Sequence, residues 1–128
     1  MEANIPDVLA EVIAEFERYE RALVTNDVEA LDAFFLDSPL VIRYGGGENL
    51  HGHAEIRAFR AARSPEGLAR SLERTVVTTW GRDFAVASTL FRRPSMRGKI
   101  GRQMQTWARM PQGWRIVAAH VSVIDEPA

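Results

Sequence analysis

The second half of this chain does most to limit what it can fold into. Four runs of β-prone residues follow one another at 70–80, 84–93, 100–110 and 114–123. Gly81-Arg82-Asp83, Pro94 to Gly98 and Pro111-Gln112-Gly113 separate them with turn chemistry. Strands joined by such short turns pair antiparallel. In the last run Trp114, Ile116, Ala118 and His120 alternate with Arg115, Val117, Ala119 and Val121, and the second set is also fairly apolar. A strand apolar on both faces is covered on both faces. Helices from the first half supply one cover, and a second copy of the chain is the simplest source of the other. A homo-oligomer, most simply a homodimer, is therefore expected, with Val117, Ala119, Val121 and Val123 on the outer, intersubunit face.

The first half is helical. Val8, Val12, Phe16, Tyr19 and Leu23 recur at steps of three and four, which predicts an amphipathic helix over 6–25. Pro6 suits its first turn, and Asn26-Asp27 breaks and recaps the chain. A short helix follows at 28–36, with Leu31, Phe34 and Phe35 inward. A strand is predicted at 39–44, a sharp turn at Gly45-Gly46-Gly47, a short return strand at 48–51 and a third helix at 53–63. The order ααββαββββ describes an α+β domain over 1–128, a curved antiparallel sheet wrapped around its helices.

Composition removes several function classes. The chain has 128 residues, a net charge of -1 and no cysteine. Disulfides, thiolate nucleophiles, zinc ribbons and iron–sulfur clusters are thereby excluded. No global basic field exists to hold nucleic acid. No apolar run approaches the roughly 18 residues of a membrane span, and the acidic start MEANIPDVLAEV is unlike a secretory leader, so a cytoplasmic location is expected. His51 and His53 flank Gly52, but no acid–histidine set with metal-ligand spacing accompanies them, so no metal and no cofactor is expected. No serine has a triad context, and the glycine triplet lacks the Lys-Ser or Lys-Thr of a phosphate loop. Of 16 basic residues, 15 are arginine, a bias that a GC-rich coding sequence explains and that also suits carboxylate ligands.

Particular stretches point further. Element order, Tyr19, the Asn26-Asp27 break, Gly52 before the third helix, and Gly113-Trp114-Arg115-Ile116 leading to His120-Val121-Ser122 resemble the NTF2-like (SnoaL-like, cystatin-like) superfamily over nearly the whole chain. Within it, Arg43-Tyr44-Gly45 with Glu48-Asn49, Phe59 to Arg63, Gly81 to Ala85, Phe91 to Pro94, and Gly101 to Trp107 resemble the AtzH-like family. The resemblance implies a cone-shaped fold with an internal pocket. It also implies a link to the breakdown of oxalurate, ureides and s-triazine ring fragments, with oxalurate- or dicarboxyurea-like substrates. Compared with ketosteroid isomerase of the same superfamily, Tyr19 takes the tyrosine position, while Arg43 and Gln105 stand where the two acids belong. Steroid isomerase chemistry is therefore not expected, and an anion-holding pocket is.

The candidate site follows. Arg43 binds a carboxylate, or is paired internally with Glu48. Pairing Arg109 with Trp114 sets Ala118 opposite Gln105 and His120 opposite Gln103, which would put two amides and an imidazole on one face near Arg43 and Tyr19. His120 is the expected proton-transfer group because it titrates near neutral pH; Tyr19 is the other. Arg63 would reach the cone mouth from the end of its helix. The expected ligand is a small anionic amide. Two further readings stay open: a non-catalytic binding or accessory protein for a larger amidohydrolase, using the same pocket, and a pure oligomerisation module, whose pocket would be filled by side chains.

Overall fold

A computed structural model describes residues 1–127; Ala128, the last residue of the expected domain, lies outside them. Helix α1 (Pro6–Val24) starts on its proline and turns Val8, Val12, Phe16, Tyr19, Ala22 and Leu23 inward. It ends where Asn26 takes a left-handed conformation, φ 51°, which asparagine tolerates better than most residues. Asp27 then caps α2 (Val28–Phe34), its side chain accepting the Ala30 N–H at 3.2 Å. Strands β1 (Ile42–Tyr44) and β2 (Asn49–His51) form a hairpin. α3 (His53–Ala62) follows, and then β3 (Ser71–Trp80), β4 (Phe84–Arg92), β5 (Lys99–Met110) and β6 (Gly113–Asp125). The predicted element order is thus observed, with shorter first strands. Among the described residues no helix is long and apolar enough to cross a membrane.

The six strands form one curved sheet in the order β2-β1-β6-β5-β4-β3. It is mixed rather than wholly antiparallel, because β1 lies parallel to β6, with Arg43 beside Ala119. The first hairpin enters after two helices and docks on the free edge of β6, and that approach sets its direction. The inner face carries the helices over a core of Val8, Val12, Leu31, Phe35, Ile56, Trp107 and Ile116, each at most 2% exposed. Gly101 sits so close under Phe91 that a Cβ there would fall 2.2 Å from a ring carbon.

One bulge decides which side chains reach the interior. The last hairpin starts in the expected register, Arg109 against Trp114 and Trp107 against Ile116, but Thr106 then pairs with Ala118. Val117 is the extra residue. From there Gln105 faces Ala119, Met104 faces His120 and Gln103 faces Val121. A one-residue slip moves every later side chain to the other face. This corrects the expected alternation. Ala119 packs on the core, and Val121 and Val123 line an internal cavity. His120 is exposed on the outer face. The outer face carries Ile42, Tyr44, Val76, Trp80, Phe84 and Met104, each 37–56% exposed.

Candidate anion-binding site

A cavity of about 230 Å³ opens between α1, the end of α3, the turn after β1 and the inner faces of β4, β5 and β6. Tyr19 and Leu23 reach it from α1 because they continue the buried stripe of that helix. Phe59 and Arg63 come from α3 and the residue after it. Arg43 points in from β1, Gln103 from β5, and Val121 and Val123 from β6. Leu68, Arg70, Phe91, Arg93, Gly46 and Glu48 complete the wall.

Four arginines therefore face one small space, and two have acidic partners. Arg43 Nη1 donates to Glu48 Oε1 at 2.8 Å and its guanidinium lies 5.5 Å from the Phe59 ring centre. Arg70 grips Glu20 with two bonds, Nε to Oε2 at 2.8 Å and Nη2 to Oε1 at 2.6 Å, and stacks 4.6 Å over Phe91. Arg63 and Arg93 have no carboxylate partner among the described residues; Arg93 rests 5.0 Å over Phe91. Arg43, Arg63, Arg70 and Arg93 supply four positive charges against those of Glu48 and Glu20, so the lining is positive.

The hydrogen-bond account shows the same imbalance. Seven buried side-chain N or O atoms lack a partner among the described residues, and four of them belong to this lining: Arg63 Nε and Nη2, Arg93 Nε and Gln103 Nε2. Buried polar atoms are ordinarily satisfied, so four orphaned donors in one cavity call for an acceptor. Gln103 is turned the useful way round. Its Oε1 accepts from Arg70 Nη2 at 3.0 Å; a guanidinium only donates, so the amide N–H groups are left for the cavity. Burial pushes both free guanidinium groups below their ordinary pKa. Arg60 adds to this at Arg63, and Arg70 adds to it at Arg93. Both remain protonated at neutral pH.

Of the seven expected site residues, five line this cavity and two do not. Tyr19, Arg43, Glu48, Arg63 and Gln103 line the cavity. Gln105 does not: it is 1% exposed and its Oε1 accepts the Trp107 indole N–H at 3.1 Å, a bond that satisfies the core. His120 is placed on the far side of the sheet, its ring 6.3 Å from that of Tyr44, because of the Val117 bulge. His51 joins Tyr44 there, Nε2 lying 3.5 Å from the hydroxyl, whereas His53 Nε2 contacts the Asp32 carbonyl at 2.8 Å; the two histidines around Gly52 diverge.

Sequence reasoning missed Arg70 and Arg93. Strand alternation across Arg92-Arg93 held a signal for the second. Arg92 points outward to Glu73 and Glu126, at 2.9 and 2.6 Å, so its neighbour must turn in. Arg70 precedes β3 and had no comparable signal.

Comparison with known proteins agrees with this architecture. A protein of unknown function of the DUF3225 family from Pectobacterium atrosepticum SCRI1043 is 59% identical, with a TM-score of 0.94, over 96% of this chain and 95% of that one. A cystatin-like fold protein from Burkholderia xenovorans LB400 is 53% identical, with a TM-score of 0.95, over 99% of both chains. An NTF2-like superfamily protein from Salmonella enterica serovar Typhimurium LT2, 24% identical over 95% of this chain and 93% of that one, shares the fold with a TM-score of 0.73. A search of functionally curated proteins returned no match. The AtzH-like family model matches residues 1–127, and the chain belongs to the AtzH-like family.

Proposed function

We propose that this protein binds a small planar carboxylate of the amide or ureide class in the arginine-lined cavity and hydrolyses a C–N bond in it, as a metal-free deamidase of a dicarboxyurea- or oxalurate-like compound. The observation that carries the binding half is the set of orphaned donors on Arg63, Arg93 and Gln103, buried in one cavity. An oligomerisation module with a filled pocket would present neither the space nor the free donors. Carboxylates on guanidinium forks form charge-assisted bonds, which are among the stronger hydrogen bonds available to a protein.

In the hydrolytic step water adds to the carbonyl carbon, the C–N bond breaks, and the leaving nitrogen takes up the proton that water gives up. Arg43, Arg63 and Arg93 hold the carboxylates. Gln103 donates its free N–H to the carbonyl oxygen as negative charge develops there. With His120 outside the cavity, Tyr19 is the proton-transfer group: its phenol both donates and accepts, and it lines the cavity beside the guanidinium groups. Ammonia release from ureide and dicarboxyurea substrates tests this. Tyr19→Phe should lower the rate by about 10²–10⁴-fold, the usual worth of a general acid–base, while leaving binding of a dicarboxylate nearly intact. Wild-type protein that binds such compounds but releases no ammonia from any of them would instead make this a binding or accessory protein.

We propose also that a second copy of the chain covers the outer face of the sheet, whose exposed Ile42, Tyr44, Val76 and Met104 are apolar or aromatic. Light scattering at micromolar concentration should give the dimer mass; a monomer would refute this.

A further inference from the structure

Glu48 is in an unusual position for a residue of an anion site. It is a carboxylate lining a cavity of arginines, and it occupies the guanidinium of Arg43 from within the chain. We propose that Glu48 is a latch, an internal stand-in for a ligand carboxylate that an incoming anion displaces from Arg43.

The turn that carries it is built for this movement. Gly45 N–H donates to the Glu48 carbonyl at 3.0 Å, closing the turn. Glu48 Oε2 accepts from the Gly47 N–H at 3.1 Å, so the carboxylate folds back over its own turn. It can do so only because residue 45 has no side chain: a Cβ there would lie 1.9 Å from Glu48 Oε1 and 2.6 Å from Cδ. Side chains added at Gly46 and Gly47 would meet nothing within 4 Å, so the outer side of the turn is open. The Glu48 side chain is 21% exposed against 11% for Arg43, which gives the carboxylate a route to water.

The energetics favour displacement when an anion arrives. The pair lines the same 230 Å³ space as Arg63 and Arg93, so an anion held by those two shares that small space with Glu48. Like charges that close, in a poorly solvated space, repel strongly. Without the anion, Glu48 neutralises one of the four arginines and limits their mutual repulsion. With it, Glu48 swings to solvent and Arg43 becomes a third guanidinium for the ligand. Glu48 thus raises the threshold for occupancy and lets the anion itself complete the site.

This inference rests on the anion-binding reading above, and one experiment separates the two. Oxalate is titrated calorimetrically into wild type, Glu48→Gln, Gly45→Ala and Gly47→Ala. Gly45→Ala keeps the Glu48 charge but forces the carboxylate off Arg43; Gly47→Ala has no such clash. Glu48→Gln and Gly45→Ala should each bind oxalate about tenfold tighter than wild type, a usual size for coupling between competing groups, and Gly47→Ala should match wild type. Wild-type binding with equal or weaker binding by Glu48→Gln would make Glu48 a support for Arg43; it would overturn the latch and leave the anion site standing. Tighter binding by Glu48→Gln without any gain in Gly45→Ala would reduce the effect to net charge and likewise overturn the latch. No binding by any of the four proteins would overturn both readings.

Discussion

Replacing Arg93 by methionine should make the ligand-free protein more stable. Arg93 follows β4 with its guanidinium half-buried, its Nε without a partner and Arg70 nearby as a like charge. An unmet buried donor costs about 1–3 kcal/mol, and removing it also relieves the repulsion from Arg70. Against this stands the stacking on Phe91 at 5.0 Å, worth about 0.5–2 kcal/mol for a cation over a ring. Methionine keeps most of the alkyl stem and recovers a sulfur–aromatic contact of about 0.3–1.5 kcal/mol. The balance favours the variant by about 1 kcal/mol, or about 3–5 °C in Tm for a chain of this size. The assay is thermal unfolding in a carboxylate-free, low-salt buffer, repeated with saturating oxalate. Ligand at a hundred times its Kd stabilises a protein by about 2.7 kcal/mol, so oxalate should reverse the order of the two melting temperatures. A variant that melts several degrees below wild type without oxalate would show that Arg93 is a structural residue, leaving Arg63 as the cavity's free cation among the described residues.

Other outcomes follow from the same geometry. His120→Gln should leave oxalate binding and any turnover within about twofold of wild type, where loss of a general acid–base would cost about 10²–10⁴-fold; a loss of that size would return His120 to the chemistry. Gly101→Ala drives a Cβ into the Phe91 ring and should destabilise by about 1–3 kcal/mol or more, read by urea denaturation; an unchanged midpoint would mean that the ring moves freely. Arg109, with help from Trp114, holds the Glu11 carboxyl below its ordinary pKa; Arg82 does the same for Asp7 and Lys99 for Asp125. Depressed carboxylates stabilise the fold above the ordinary carboxylate range and lose that contribution as pH falls through it, so Tm should decline below about pH 4. A Tm that rises between pH 5 and pH 3 would contradict those pairings.

Much of this architecture was readable in the chain because period and punctuation agree. The stripe from Val8 to Leu23, the Asp27 cap and the glycine and proline turns each describe one local choice, and each is found. The direction of β1 was not readable: a three-residue strand carries no sign of its partner, and pairing with β6 depends on how the preceding helices deliver it. Tyr19, Arg43 and Gln103 were legible as cavity-lining residues because each sits on an element whose inward face the pattern defines, whereas Glu48 and Arg63 were placed there by their positions in a turn and just past a helix end. Gln105 keeps its expected inward face on β5 but lies outside the cavity lining, its amide oxygen taken by the Trp107 indole. His120 alone is moved by the bulge. Val117 reads as an ordinary β-branched strand residue, and nothing in its neighbours marks it as the extra residue of a bulge. Every position beyond it therefore inverts, which takes the histidine out of the cavity and brings Val121 and Val123 in.

Whether the arginine-lined cavity holds an anion is decided by a crystal structure of the protein grown with oxalate. A planar anion is expected between Arg63 and Arg93, its oxygens about 2.7–3.2 Å from their guanidinium nitrogens and from Gln103 Nε2. Oxalate bound only elsewhere, with the orphaned donors of Arg63, Arg93 and Gln103 satisfied by ordered water or by rearranged protein groups, would contradict it.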